Sequence, residues 1–345
     1  MVKRKPLPDL LKGLAFVLMV QVHIMEQFAL QDVYNSVAGK ISLFLGGPFA
    51  APLFLAVMGY FLAASKRTPK GLVIRGLKLI LLALLLNIGL NFHLLIKIYS
   101  GQVNLDPWKY ILGADILFVA GLSIIIVSFL KKIFKEKAYL YVLLSAVIPC
   151  ITYFIPESNN HQGFTAYLGS FLWMRTDWSY FPLVPWFSYP LIGYGYYLVM
   201  NGNYSAVNWL KERKMALMFI LAAVLVITSY YPFGVITRLH EYYHQGFLVF
   251  VWISVFLLFL VILLGIFEKE WGQTKSFLYL KWTGREVTAM YVIQWVIIGN
   301  LATSLYKTQF PFWLIVWFVA ILAISSGLTY LYIRIRDAWK LKIID

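Results

Sequence analysis

Ten apolar runs, each close to the length needed to cross a bilayer, alternate along this chain with short segments rich in Lys and Arg. A helix needs about 20 mostly apolar residues to span the hydrocarbon core, because each residue rises only about 1.5 Å. The runs lie at roughly 10–30, 41–64, 73–96, 109–130, 138–155, 181–200, 215–231, 246–267, 284–305 and 311–333. A water-soluble fold has no place to hide so many. Here 61% of residues are apolar or aromatic and 13% are charged, against about half and a quarter in soluble domains. The expected class is an all-α polytopic integral membrane protein. It is a bundle of about ten transmembrane helices forming a single domain over 1–345.

The charges test that count. With the N-terminus inside, the alternating inner segments collect 24 of the 30 Lys and Arg residues, and the outer ones keep 6. The outer six are Lys40, Lys97, Lys109, Arg175, Arg238 and Lys307. Cytoplasmic loops carry the excess of Lys and Arg, so the split supports a multi-pass cell-membrane protein with both termini cytoplasmic. The net charge of +15 is then mostly topology, and nucleic acid is not an expected partner. The opening "MVKRKPLPDLLKGLAF" is basic but lacks an A-x-A-like cleavage site, and reads as a retained first span. A single cysteine, Cys150, excludes an intrachain disulfide and a Cys-rich metal site.

Polar residues inside the spans carry the next inference, because ionisable groups there are costly and usually face a bundle interior or a water path. In "LLKGLAFVLMVQVHIMEQ" the residues His23, Glu26 and Gln27 are spaced i, i+3 and i+4, which puts them on one helical face. Lys12 precedes His23 by eleven residues, about 20° past three whole turns, so the two share a stripe about 16 Å apart along the axis. Plainer readings exist: a snorkelling Lys12 and a hydrogen-bonded interhelical His23. Asp115 is a carboxylate at membrane depth or near the outer interface. Asn87 and Asn91 suit helix–helix contacts, as does Gln294, which follows Arg285 by nine positions. "FPLVPWFSYPLIGYGYY", with Pro182, Pro185, Trp186 and Pro190, predicts broken helix at membrane depth. Two outer loops, about 156–180 and "YPFGVITRLHEYYHQG", are aromatic and polar together and suit a cap or substrate mouth. His240 and His244 have metal-compatible spacing but no third ligand, so no metal is expected. Phosphate-cradling loops and hydrolase elbows are absent.

Six stretches in order carry a resemblance: "PDLLKGLAFVLMVQVH", "GPFAAPLFLAVMGYFLA", "RGLKLILLALLLN", "DILFVAGLS", "FPLVPWFSYPLIGYGYYL" and "GREVTAMYVIQ". Together they resemble the transmembrane acyltransferases related to heparan-α-glucosaminide N-acetyltransferase and, more distantly, the acyltransferase-3 family. That opening has an Asp, an Arg-Gly pair and a His ten intervening residues after the Arg. Asp9, Lys12-Gly13 and His23 hold those places. There are two departures. Lys12 stands for the usual Arg, which keeps the charge and loses the bidentate fork. Gln294 stands for a late His, which removes an acid–base group.

The resemblance implies transfer of an acetyl or other acyl group from cytoplasmic acyl-CoA to a hydroxyl or amine of a sugar or glycan on the far side. On that reading Lys12, Arg75 and Lys78 would meet CoA phosphates. His23 would act as general base or acyl carrier, with Glu26 or Asp115 holding its tautomer or charge. Gln27, Trp186, Arg285 and Gln294 would touch substrate. The expected co-substrate is acetyl-CoA, the expected partners are the glycan acceptor and membrane lipid, and a homodimer is compatible with the sequence. The rival class is a secondary transporter or flippase for a small solute or lipid-linked sugar, which broken helices and buried His and Glu also fit. A sensor or structural role finds little support in such short loops.

Overall fold

The computed structural model describes residues 5–156, 163–202 and 205–344. Lys3, Arg4 and the 157–162 part of the expected outer loop lie outside the described residues, as do the side chains of Lys211, Lys340 and Lys342. The regular structure described is helical, apart from one isolated bridge between Ala29 and Gln309. In chain order the helices used here are α1 (Leu7–Phe28), α2 (Val37–Phe49), α3 (Ala51–Ala64), α4 (Pro69–Leu90), α5 (Phe92–Tyr99), α6 (Ile116–Phe134), α7 (Ala138–Ile151) and α8 (Ser188–Asn201). They continue with α9 (Lys214–Ile227), α10 (Tyr230–Ile236), α11 (Leu239–Tyr243), α12 (Phe247–Trp271), α13 (Lys275–Arg285), α14 (Val287–Leu305) and α15 (Pro311–Ile344).

Among the described residues seven helical stretches are long and apolar enough to cross a membrane: α1, α2 with α3, α4, α6, α12, α14 and α15. An eighth arises if α9 and α10, bent by 68° at their junction, count as one span. The remaining expected segments are also helical but short. Ala138–Phe154 is an apolar helix below span length. The 181–200 segment is divided into Leu183–Trp186 and α8, as its prolines predict, with a cis Val184–Pro185 peptide.

Local sequence explains several boundaries. Pro8 sits in the first turn of α1, where its missing N–H costs nothing. Asp9 adds a carboxylate to the same turn, where the helix dipole favours it. Asp115 caps α6, its Oδ1 accepting from the Ile116 N–H at 2.6 Å.

The chain divides into two compact units. The first comprises 1–46, 89–103 and 267–345. Within it α1 packs against α13, α14 and α15. Lipid tails are as apolar as Leu, so helices in a membrane gain little by hiding greasy surface from lipid. Close packing through small residues takes over. At the α1–α13 crossing a Cβ on Gly13 would lie 1.8 Å from the Leu280 carbonyl oxygen, and one on Gly284 would lie 1.8 Å from that of Asp9. Both positions therefore admit only glycine without a backbone shift.

The second unit comprises 47–88 and 104–266. Its closest helix pair is α3 with α8, where Gly59 meets the Pro190 carbonyl and Gly193 meets that of Ala56. Beside them, Leu62, Leu72, Ile124, Leu191 and Tyr194 form a core with Tyr141, whose ring stacks on Tyr194 at 4.2 Å.

Candidate active site

The first unit gathers its polar groups along α1. Near the start of that helix, Asp9 is almost wholly buried. Its Oδ1 lies 3.1 Å from Lys12 Nζ, and its Oδ2 lies 3.7 Å from Arg285 Nε. One carboxylate between two cations leaves a net positive charge, which is chemically suited to an anion such as a phosphate. The glycine crossing places α13 close enough for Arg285 to reach. Glu286, the next residue, pairs with Arg336 of α15 at 3.0 Å. The opening motif and the late "GREVTAMYVIQ" motif, 271 residues apart where His23 meets Gln294, are thus neighbours in space.

Eleven residues beyond Lys12 stands His23, about 16 Å further along the axis. Its Nδ1 faces the amide of Gln294 at 3.4 Å, with both Oε1 and Nε2 at that distance. Gln294 is fully buried on α14. The Trp295 ring lies against the imidazole, with centroids 4.0 Å apart. Among the described residues Gln294 is the one hydrogen-bonding partner of His23. When Gln294 Oε1 accepts from Nδ1–H, the lone pair sits on Nε2 and the imidazole can act as a base there; when Gln294 Nε2–H donates instead, the lone pair is on Nδ1. The neutral amide can hold either tautomer but cannot take a proton itself. The side chain at Nδ1 is therefore Gln294 and not a carboxylate.

Glu26, one turn on, is close enough for its charge to act on Lys307, whose backbone N–H meets the Gln27 carbonyl. The Lys307 ammonium sits 3.7 Å over the Tyr34 ring and 5.9 Å from that of Tyr306. Burial holds its pKa below the usual lysine value, and the Glu26 carboxylate works against that shift. Burial, then the charges of Glu26 and Tyr306, push Tyr34 up to about 12. The backbone fixes this end firmly. Lys307 N–H donates to the Gln27 carbonyl at 3.0 Å, Gln309 N–H to that of Phe28 at 2.8 Å, and Leu30 N–H to that of Gln309 at 3.0 Å. Lys307 itself has φ of 55°, a strained value for a non-glycine residue.

The contacts Asp9–Arg285, His23–Gln294 and Gln27–Lys307 run in the same order on both strands of chain. Thus α1 and the α13–α14 pair run in the same direction. Nearby, Asn300 of α14 accepts from the His93 N–H at 2.9 Å and donates to the Gly89 carbonyl at 2.8 Å. His93 is thereby tied into the break between α4 and α5 and belongs to packing.

The other expected site residues fall in the second unit. Arg75 is half-buried on α4 near Arg67, and Lys78 is exposed on the same helix. Asp115 is the cap of α6. Trp186 is fully buried, donates from Nε1 to the Tyr243 carbonyl at 2.8 Å and packs edge-on to Phe181 and Tyr242. His240 and His244 have ring centroids 5.5 Å apart. Among the described residues no three His, Cys, Asp or Glu side chains come together in a metal-holding group. Trp295 and Lys307 went unsingled in the sequence. Trp295 is adjacent to the noted Gln294, and Lys307 was counted only as a loop charge.

The model of the family described as "Acyltransferase domain", acyltransferase-3, matches residues 7–332. No curated protein matches the sequence.

Proposed function

Because the chain belongs to the acyltransferase-3 family, whose model covers nearly all of it, we propose that it is an acyl-CoA-dependent membrane enzyme that acylates a sugar or glycan. The coarse part follows from membership and the apolar helices: a multi-pass membrane transferase. The donor, the acceptor and the direction across the membrane are our reading. One observation carries it. At one end of α1, Asp9 and Lys12 form a net-positive cluster with Arg285 of α13, and an imidazole in contact with the Gln294 amide stands about 16 Å along the helix. Lys12 and Arg285 meet the phosphates of acetyl-CoA. The charge asymmetry puts that end in the cytoplasm. The acyl-bearing arm runs along the stripe to His23.

His23 Nε2 takes the proton of the acceptor hydroxyl as its oxygen attacks the thioester carbonyl. A new C–O bond forms, the C–S bond breaks, and the proton passes to the departing CoA sulfur. No redox partner is needed. The sugar acceptor rests on the resemblance to the heparan-α-glucosaminide type, and the aromatic residues near His23 suit a sugar ring. The test is acetyl-CoA turnover by purified protein against candidate sugars. His23→Ala should lose about 10²- to 10⁴-fold in kcat, and unchanged turnover would remove His23 from the mechanism. If CoA gives no thermal stabilisation while proteoliposomes take up a solute, transport replaces acyl transfer as the activity.

A further inference from the structure

Glu26 and Lys307 are arranged in a way that neither packing nor the proton transfer at His23 explains. Glu26 is one helical turn from His23 on α1, and Lys307, between α14 and α15, is bonded through its backbone N–H to Gln27 at the same end. Glu26 accepts no hydrogen bond and forms no ion pair among the described residues. Lys307 feels its charge, yet its ammonium rests on the Tyr34 ring at 3.7 Å. Both side chains remain partly accessible. An acceptor and a donor of opposite charge, not joined to each other and carried by backbone hydrogen-bonded at Lys307 and Gln27, can each reach one of two adjacent polar groups of a ligand. A pair that served only stability would close into direct contact, because an unpaired carboxylate at this depth is costly. The backbone bonds from Lys307 and Gln309 to Gln27 and Phe28 hold the two in place. Tyr34 and Tyr306 lie beside the Lys307 ammonium and Trp295 lies beside His23, aromatic rings of the kind that pack on sugar C–H bonds.

We propose that Glu26 and Lys307 form a two-point clamp for neighbouring hydroxyls of a sugar ring, with Lys307 the specificity-determining residue that aligns the acceptor on His23. Glu26 accepts from one O–H, Lys307 donates to the adjacent oxygen, and the ring lies against the aromatic faces. This rests on the acyl-transfer reading for its chemistry, but the binding it describes does not.

The experiment uses purified full-length protein in detergent, with methyl α-D-mannopyranoside as the probe because it carries adjacent hydroxyls. Binding is read by tryptophan fluorescence, and CoA release by a thiol reagent. Wild type should bind the glycoside. Lys307→Met and Glu26→Gln should each weaken binding or raise its KM by roughly tenfold, the loss expected for a charge-assisted hydrogen bond, with acetyl-CoA KM unmoved. Lys307→Arg should restore part of the loss. Deoxy-glycosides lacking one hydroxyl should bind wild type more weakly and the variants no worse than the parent sugar, since the two losses are one interaction. Equal glycoside affinity in wild type and Lys307→Met, or no glycoside binding by wild type, overturns the clamp. Glycoside binding that depends on Lys307, without CoA release, keeps the clamp and overturns acyl transfer.

Discussion

At the scale of single residues, the stripe through Lys12 and His23 was readable because helical period is a property of one segment. What His23 touches was not, because Gln294, Trp295 and Lys307 reach α1 only after the helices pack. The late motif marks Gln294 as a departure, and its contact with Nδ1 gives that departure a physical meaning: a neutral amide, which cannot take a proton, stands where an acid–base group would. Asp9 illustrates the opposite case. Its place was noted by resemblance, and its burial between Lys12 and Arg285 makes it the anchor of the positive cluster. His244 yields a prediction of its own. Burial first, then the nearby charges of His240 and Arg175, push its imidazole down to about 3. An unfolded histidine titrates near 6.5. Below that pH the unfolded chain takes a proton that the folded chain refuses, so stability falls as pH drops from about 6.5 toward 3 and is flat above. The slope is at most about 1.4 kcal/mol per pH unit. Thermal unfolding in detergent between pH 7.5 and 5 should show the decline, and His244→Gln should flatten it.

At the scale of elements, the apolar runs located nearly every helix, but length alone did not say how each run would be divided. The prolines of 181–200 marked one break correctly. The 68° bend between α9 and α10 had a weaker signal, Pro232, three residues into the second helix. The crossing of α1 with α13 was invisible, because Gly13 and Gly284 are common residue types whose meaning comes from the partner backbone. Gly13→Ala should lower the melting temperature by several degrees, the consequence of about 1–3 kcal/mol of overpacking. It should also weaken acetyl-CoA binding by displacing Arg285 from Asp9. Gly327→Ala on α15, where a Cβ meets nothing within 4 Å, is the matched control and should change neither. Equal melting temperatures for the two variants would mean that the crossing is not tightly packed in the membrane.

At the scale of the whole molecule, the expected orientation rests on the distribution of Lys and Arg, which acts before folding. It can be checked through the lone cysteine. In a Cys150→Ser background an impermeant maleimide should label Arg238→Cys on intact cells and label Lys66→Cys only after permeabilisation. Reversal of that pattern would turn the molecule over. The division into two units was not readable, because the first is assembled from three stretches of chain separated by the second. That assembly has a consequence for how the protein is made. His23 leaves the ribosome 271 residues ahead of Gln294, a delay on the order of tens of seconds at ordinary rates of synthesis. Throughout that interval the first helix sits in the insertion machinery or the bilayer with its imidazole lacking the Gln294 amide and its Asp9–Lys12 pair lacking Arg285. The last helices to emerge complete the site, so a nascent chain stalled before α14 holds the reactive histidine but not the partner that orients it.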